Sequence, residues 1–382
     1  MLSSIKQQPR ILFLFADTGG GHRSAAEAII EALNLEFPDG FQFDMVDFFH
    51  DYAPPPLNLA GPTYPAMSKM TTMWEWMFKG SDDPDFMRAL YIVIWPYIRL
   101  KLYDLIQDHP CDLVVSVHPL INIPMLRGLK RKKIDIPYII VITDLVSTHA
   151  AWFAKDASLI IVPTQQARIR ARLAGIDAKK LLTIGLPVAD RFCAPIGNRD
   201  KLRKELGWST HLPIILLMGG GEGMGPLEKV AIQLDDAQLP CALVVITGHN
   251  KRLKTRLDNH QWNNPTFIYG FVSDIPTFMR AADMIITKAG PGTISEAFIA
   301  GLPIILYHRV PGQEEGNVTY VVDEGAGVWA PRVEDIIATL RLWLENPEQR
   351  KLVAETSLSL ARPNASREIA RAISRFTTAM NS

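Results

Sequence analysis

The chain has 382 residues, of which 48% are hydrophobic, and this is long enough to bury two domain cores. Its 40 basic and 40 acidic residues cancel, so no overall attraction to nucleic acid is expected, and its three widely spaced cysteines have neither metal-ligand nor disulfide spacing. The first residues lack a signal-peptide pattern and no window approaches 18 uninterrupted apolar residues, so we expect an intracellular protein without a transmembrane helix.

Short apolar runs alternate with helical patterns along most of the chain. The runs of the first half are 11–16, 41–49, 112–118, 137–143, 158–164 and 181–187. Those of the second half are 213–219, 242–248, 266–271, 284–289, 302–308 and 327–331. Most are β-branched and continuously apolar, as in strands buried on both faces of a parallel sheet. Because the polar segment 190–212 separates the two halves, the pattern predicts two α/β domains.

The first apolar run is followed by the glycine-rich sequence ADTGGGHRSAAEA, residues 16–28. It lacks the lysine of a Walker A loop, and Ser24 replaces the third glycine of the dinucleotide fingerprint. Asp44 and Asp47 follow at about the distance of a ribose-binding carboxylate, which leaves a nicotinamide-dependent dehydrogenase as an alternative. That alternative explains nothing in the second half of the chain.

His22 lies at or near the first turn of the predicted helix. Unpaired N–H groups and the helix dipole disfavour a charged imidazolium at this position. A neutral imidazole is a competent general base at neutral pH. The histidine could instead cap or pack the helix, but the three preceding glycines open the backbone around it and favour a catalytic role.

An insertion, residues 54–107, interrupts the alternation, because it contains no clear strand. Its large aromatic side chains include Trp74, Trp76, Phe78 and Trp95. The insertion is either a helical cap on the first domain or an amphipathic surface for lipid.

Basic clusters at 127–133 and 168–172 are either solvated helix ends or a surface for anionic lipid headgroups. Nucleic acid is not an expected partner, because the aromatic residues lie in a separate segment.

The sequence TKAGPGTISEA, residues 287–297, predicts a nucleotide site. A strand ends there, Gly290 and Gly292 turn the chain, and Thr293 opens a helix. The N–H groups of a helix N-terminus together with a threonine hydroxyl form a phosphate site. Glu296, about one turn later, can accept hydrogen bonds from two ribose hydroxyls.

Two more polar segments lie in the second half. PGQEEGN, residues 311–317, offers Gln313, Glu314 and Asn317 as donors and acceptors for the hydroxyls of a hexose. Alone it would be taken for an exposed loop, but it follows the predicted phosphate turn by one strand. A second glycine loop, GGGEGMG at 219–225, lacks the dinucleotide spacing.

Four segments together carry a family resemblance: ADTGGGHRSAAEAI, ITDLVSTHAAWF, ITKAGPGTISEAFIAGLPIIL and PGQEEGNVTYVVDEGAG. They resemble the monogalactosyldiacylglycerol synthase and processive diacylglycerol glucosyltransferase group of glycosyltransferase family 28, over nearly the whole chain. The resemblance implies the GT-B fold, with two Rossmann-like domains facing a central cleft. It implies a lipid-acceptor domain at 1–195, a UDP-sugar-binding domain at 205–362 and a last helix within 363–382 that returns to the first domain.

The resemblance also implies an inverting, metal-independent transfer of a hexose from a UDP-sugar to 1,2-diacylglycerol. His22 matches the histidine proposed to deprotonate the acceptor hydroxyl, and Asp144 and His149 match positions on the acceptor side. Asp144 would either orient His22 or line the acceptor site. The implied donor-binding residues are Gly20, Gly221, Gly290, Gly292 and Thr293 for the diphosphate, Glu296 for the ribose, Phe271 and Val272 for the uracil, and Gln313, Glu314 and, more weakly, Asn317 for the hexose.

No cofactor or metal is expected, since no D-x-D motif stands at a strand end and the UDP-sugar is a co-substrate. Galactose is slightly favoured over glucose, because the C-terminal motifs look closest to galactolipid-forming members. The implied location is the cytoplasmic side of a membrane, with peripheral attachment and anionic lipids at the N-terminal domain. The alternatives are another lipid acceptor, such as a polyprenyl-linked intermediate or a sterol, and a nucleotide-sugar-binding protein without turnover.

Overall fold

The computed structural model describes residues 8–17, 20–59, 63, 71–195 and 197–378. The chain divides into two compact units. The first unit comprises residues 1–190 together with 364–382, and the second comprises residues 191–363. Each unit has its own sheet and its own hydrophobic core.

The described part of the first unit contains a six-stranded parallel sheet in the order β2-β1-β3-β4-β5-β6. Its strands are β1 Arg10–Phe15, β2 Gln42–Asp47, β3 Leu113–Ser116, β4 Tyr138–Val141, β5 Leu159–Val162 and β6 Leu181–Thr183. Each residue of β3, β4 and β5 is buried, as the continuously apolar runs predict. Parallel strands require crossovers, so their carboxyl ends lie along one edge of the sheet.

Helices form the crossovers of the first unit. They are α1 Gly21–Glu36, α2 Phe48–Asp51, α3 Thr71–Ser81, α4 Pro84–Asp108, α5 Asn122–Lys132 and α6 Gln165–Leu173. The long helix α4 begins at an Asp83 N-cap, whose carboxylate accepts hydrogen bonds from the N–H groups of Asp85 and Phe86. The described part of the insertion is therefore largely helical.

The described part of the second unit repeats the architecture with the strand order β12-β11-β10-β7-β8-β9. Its strands are β7 Ile214–Met218, β8 Ala242–Ile246, β9 Thr266–Tyr269, β10 Met284–Lys288, β11 Ile304–His308 and β12 Gly327–Trp329. Its helices are α7 Arg199–Leu206, α8 Leu227–Asp236, α9 Lys251–Asp258, α10 Ile275–Ala281, α11 Pro291–Ile299, α12 Glu315–Asp323, α13 Val333–Glu345 and α14 Pro347–Ser359. Each predicted apolar run overlaps one strand, which confirms the α/β class.

The last described helix, α15 Ala365–Thr378, packs on α1 within the first unit. Ile369 and Ile373 are fully buried in the core that α1 shares with the sheet. Arg371 adds an ion pair with Glu36 at 2.6 Å, at the C-terminal end of α1. Hydrophobic contact and charge pairing therefore hold α15 against α1 in the first unit.

Arg203 joins α7 to the end of α10 and the segment between α10 and β10. Its Nε donates to the carbonyl of Ala281 at 2.9 Å, and its guanidinium pairs with Asp283 at 2.6 Å. Replacing it by methionine removes these charged hydrogen bonds from a buried site, although Arg199 keeps a longer 3.6 Å contact with Asp283. We expect a loss of about 1.5–3 kcal/mol in the free energy of unfolding of this unit, measured by urea denaturation.

The matched control for this prediction is Lys201→Met on the same helix. The Lys201 side chain is 75% exposed and reaches Glu205 only at 3.9 Å, so its loss should leave the urea midpoint nearly unchanged. Equal midpoints for the two variants would contradict a structural role for Arg203.

In the parts of the chain that the structure describes, no helix combines the length and the apolar character needed to cross a membrane.

Candidate active site

The first glycine turn places His22 at the start of α1. Gly20 has φ 80°, a left-handed conformation that glycine adopts readily, and it precedes the first helical residue, Gly21. The N-cap residue, Gly20, makes no side-chain cap hydrogen bond to α1. At both glycines, a Cβ atom would meet no other atom within 4 Å. Among the described residues, the start of α1 is thus open at Gly20 and Gly21.

The ring of His22 lies against groups from the ends of neighbouring strands. Its Nδ1 is 2.8 Å from the Thr143 hydroxyl, which follows β4. The ring centroid of His118, two residues after β3, is 4.8 Å away, and that of Trp152 is 6.2 Å away. Because β1, β3 and β4 are adjacent in the sheet, their carboxyl ends bring these distant residues to one place.

His22 is a neutral imidazole in this environment. Desolvation lowers its pKa to about 4, against a hydrogen bond to the Val117 backbone and the charge of Asp17, which both raise it. At pH 7 the ring is therefore unprotonated and can accept a proton. This is the protonation state that the predicted general base needs.

Asp144 contacts Trp152, and the hydroxyl of Thr143 contacts the ring of His22. The Asp144 carboxylate accepts a hydrogen bond from the Trp152 indole N–H at 2.6 Å, and both side chains are buried. Asp144 thereby holds the indole ring that lies beside His22. The structure thus links Asp144 to His22 indirectly, through the Trp152 ring. The role of Asp144 on the acceptor side stays a prediction.

His149 joins the segment between β4 and β5 to the insertion. Its Nδ1 accepts a hydrogen bond from the Ala151 N–H at 3.1 Å, and its Nε2 lies 3.1 Å from the hydroxyl of Ser81, at the end of α3. Next to it, the Asp82 carboxylate accepts from the Ala150 N–H at 2.7 Å. Both ring nitrogens of His149 thus have partners within the protein. Its binding role toward an acceptor stays a prediction.

A second open turn, the 290 turn of residues 288–293, lies in the second unit between β10 and α11. Gly290 is the N-cap residue of α11 and makes no side-chain cap hydrogen bond, while Pro291 occupies the first helical position. A Cβ atom at Gly292 would meet nothing within 4 Å. The N–H groups of Gly292 and Thr293 at the start of α11, with the partly exposed Thr293 side chain, have the layout typical of helix N-termini that bind anions.

Glu314 and Asn317 support the 290 turn. One Glu314 carboxylate oxygen accepts from the Lys288 ammonium at 2.5 Å, and the other accepts from the Val310 N–H at 2.8 Å. The amide of Asn317 donates to the carbonyl of Ala289 at 2.9 Å. Both side chains are buried, so these contacts fix the turn in place. Lys288 is a functional candidate that the sequence analysis missed, although a lone cation at the end of an apolar strand was visible.

Glu296 lies one turn into α11 and is partly exposed. Desolvation raises the pKa of its carboxyl to about 7, while the positive charge of Arg191 lowers it. Near neutral pH the carboxyl is therefore divided between its charged and neutral forms. Arg191 was also missed, because a basic residue in a polar linker carries no local signal of this contact.

The ends of β7, β8 and β9 add a third group of candidates. Gly221 is exposed, and a Cβ there would meet nothing within 4 Å. Phe271, which is 61% exposed, stacks on His249 with ring centroids 4.2 Å apart and planes at 15°. The adjacent Val272 is partly exposed. A stacked ring beside open backbone is suited to a planar base.

Gln313 lies partly exposed on the loop before α12, in contrast to the buried Glu314. Of the three residues predicted to bind a hexose, it is the one whose side chain is open to solvent in this unit. Within the described ranges, no three or more His, Cys, Asp or Glu side chains form a group that could hold a metal ion.

Family comparisons cover both units. The family described as monogalactosyldiacylglycerol (MGDG) synthase matches residues 22–188, and glycosyl transferases group 1 matches residues 198–357. The chain is 39% identical over 376 residues to monogalactosyldiacylglycerol synthase 3, chloroplastic, of Arabidopsis thaliana, covering 95% of this chain and 80% of that protein. It is 37% identical over 366 residues to monogalactosyldiacylglycerol synthase, chloroplastic, of Spinacia oleracea, covering 93% and 70%.

Solved structures resemble the chain in fold. The crystal structure of Acinetobacter baumannii MurG has a TM-score of 0.63 at 16% identity and covers 96% of this chain and 99% of that one. Anabaena Alr3699/HepE in complex with UDP-glucose has a TM-score of 0.56 at 14% identity and covers 96% and 100%. At these identities the likeness concerns the fold alone, and it confirms the GT-B class with two Rossmann-like units.

Proposed function

The chain belongs to the monogalactosyldiacylglycerol synthase family of glycosyltransferases, and we propose that it transfers galactose from UDP-galactose to 1,2-diacylglycerol. The observation that carries the proposal is the 39% identity over 95% of the chain to a protein of that name. The neutral His22 and the open 290 turn supply the chemistry that such a transfer needs.

On the acceptor side, His22 removes the proton from the diacylglycerol hydroxyl. The oxygen then forms a bond to the anomeric carbon of galactose while the bond from that carbon to the diphosphate breaks, with inversion. The proton stays on His22 and the electron pair leaves with UDP. A base with a pKa lowered to about 4 is unprotonated before each turnover, which supports this assignment.

On the donor side, the N–H groups of Gly292 and Thr293 stabilise the negative charge that builds up on the diphosphate, together with the turns at Gly20, Gly221 and Gly290, whose own N–H donates to the Lys288 carbonyl. We include no metal ion and no cofactor in this step, because these preorganised donors supply the charge stabilisation. The uncapped start of α11 supports the proposal. Undiminished transfer in excess EDTA is the expected result.

The other proposed donor-binding residues contact the ribose, the uracil and the hexose of the UDP-sugar. Glu296 accepts hydrogen bonds from the ribose hydroxyls, and the uracil binds at Phe271 and Val272. Gln313 binds the hexose, with Glu314 and Asn317 contributing through the turn that they hold. The exposed ring of Phe271, stacked on His249, supports the uracil assignment.

We further propose that the insertion attaches the protein to the cytoplasmic face of a membrane that contains anionic lipids. One face of α4 packs into the first unit through Trp95 and Leu102, while the opposite face exposes Val93 and Leu100 by 75% and 62%. The helix thus serves both as a cap and as an apolar surface. Basic side chains of α5 lie against it, with Arg127 over the Trp95 ring at 4.5 Å.

Charges on this exposed face should weaken membrane binding. We expect Val93→Asp combined with Leu100→Asp to lower affinity for vesicles of phosphatidylglycerol and phosphatidylcholine by on the order of tenfold or more, because two apolar contacts with the acyl region are lost. Vesicle co-sedimentation measures this. The control is Leu352→Asp, an equally exposed leucine of the second unit. Equal binding by both variants would refute the surface.

Donor and acceptor are tested in one competition experiment. The protein is given equal concentrations of UDP-[¹³C₆]galactose and unlabelled UDP-glucose with vesicles that contain diacylglycerol, a polyprenyl phosphate sugar and a sterol. Mass spectrometry then separates the two hexoses by isotope and the acceptors by lipid mass. We expect labelled galactosyl-diacylglycerol as the main product. A glucosyl product would overturn UDP-galactose as the donor, and a product on another lipid would overturn diacylglycerol as the acceptor.

A further inference from the structure

His118 is a buried side chain that the mechanism above leaves without a role. It follows β3 in the loop that begins with Val117, and it is only 5% exposed. Its ring meets the His22 ring edge-on, with centroids 4.8 Å apart and planes at 73°. On another side it contacts the Phe49 ring at 5.4 Å. The imidazole is therefore wedged between the proposed base and the core.

The segment around His118 is the support on which His22 rests. The backbone of Val117 hydrogen-bonds to the His22 ring, and the hydroxyl of Ser116 donates to the carbonyl of His118 at 3.2 Å. Within the described part of the chain, the buried Nδ1 of His118 has no hydrogen-bond partner. A buried nitrogen without a partner is costly, so the His118 ring lowers the stability of the fold at this position.

The carboxylates near the His22 ring already have partners of their own. Asp17 faces the ring of His22 but is paired with Arg23 at 2.9 Å, and Asp144 is hydrogen-bonded to the Trp152 indole. Thr143 contributes a neutral hydroxyl. Desolvation lowers the pKa of His118 well below its ordinary value, and the proximity of His22 lowers it further. Two neutral imidazoles thus shield each other from water.

We propose that His118 is a positioning residue, whose ring seats the His22 imidazole and excludes water from it, so that the base meets the acceptor hydroxyl in a fixed orientation. This rests on the proposed function, in which His22 is the base. The shape of the His118 ring carries the effect. Phenylalanine therefore preserves it, and alanine or glutamine does not.

The test measures the pKa of His22 directly, by NMR titration of protein labelled at histidine, in the wild type and in His118→Ala, His118→Gln and His118→Phe. We expect the pKa of His22 to rise by about one unit or more in the first two variants, because water then reaches the ring, and to stay low in the third. In transfer assays, kcat should fall by about tenfold or more for His118→Ala with the KM for UDP-galactose unchanged, and His118→Phe should restore it.

The outcomes separate this inference from the function on which it rests. A folded His118→Ala protein with an unchanged His22 pKa and an unchanged kcat would overturn it, as would a phenylalanine variant that behaves like alanine. If the alanine variant does not fold, His118→Gln carries the same comparison. A wild-type protein without any transferase activity would overturn the proposed function, whereas the NMR titration would still decide the role of His118.

Discussion

Replacing His22 by alanine abolishes sugar transfer, with an expected fall in kcat of about 10²–10⁴-fold, the range typical of a lost general base. The neutral imidazole at the start of α1 is then missing, and the acceptor hydroxyl keeps its proton. The affinity for UDP should change little, since the 290 turn lies in the other unit. Radiolabelled transfer to diacylglycerol vesicles measures kcat, and calorimetry measures UDP binding.

The matched control is His50→Ala in the same unit. His50 is 77% exposed and pairs with Asp51, a contact that raises its pKa, so its removal should leave kcat within about twofold. Normal turnover in the His22 variant would refute its assignment as the base. A loss of UDP binding equal to the loss of kcat would indicate a donor-binding role instead.

Replacing Glu296 by glutamine weakens UDP-galactose binding by about 1.5–3 kcal/mol, on the order of 10- to 150-fold, because charged hydrogen bonds to the ribose are lost. The wild-type affinity should also depend on pH. Its free carboxyl has a pKa raised to about 7, and ribose hydroxyls donate stronger hydrogen bonds to the charged form than to the neutral one. Binding therefore releases a proton, so affinity is highest above pH 7 and falls as the pH drops below it.

Calorimetry from pH 5.5 to 8.5 tests this, with UDP-galactose as ligand because its diphosphate diester does not titrate in that range. Glu296→Gln should flatten the profile, whereas Glu228→Gln, a surface carboxylate paired with Arg256 in the same unit, should leave it unchanged. A wild-type affinity that is constant over the whole range would contradict the role of Glu296.

Local sequence was sufficient for the architecture and for the positions of the two turns. Continuous β-branched apolar runs predict buried parallel strands wherever they occur, because such residues satisfy a sheet that is covered on both faces. Each run accordingly overlaps a strand. A glycine cluster directly after a strand likewise places His22 in the first turn of α1, and GPGT places Thr293 in the first turn of α11.

The insertion shows what local sequence could not predict. Its apolar and aromatic residues have helical spacing, but the pattern allowed either a cap or a lipid surface. The side to which Trp95 and Val93 point depends on where α4 lies on the first unit, and there Trp95 is buried and Val93 exposed. Composition alone cannot assign two faces of one helix before its packing partner is known.

The sequence by itself therefore determined the fold class, the two units and the residues that stand at strand ends. Only the tertiary structure decided which of those residues meet. The contacts of His22 with His118 and Thr143 depend on the order of β1, β3 and β4, and the pairing of Lys288 with Glu314 depends on the adjacency of β10 and β11. Strand order follows from packing of the whole chain, so no local pattern encodes these contacts.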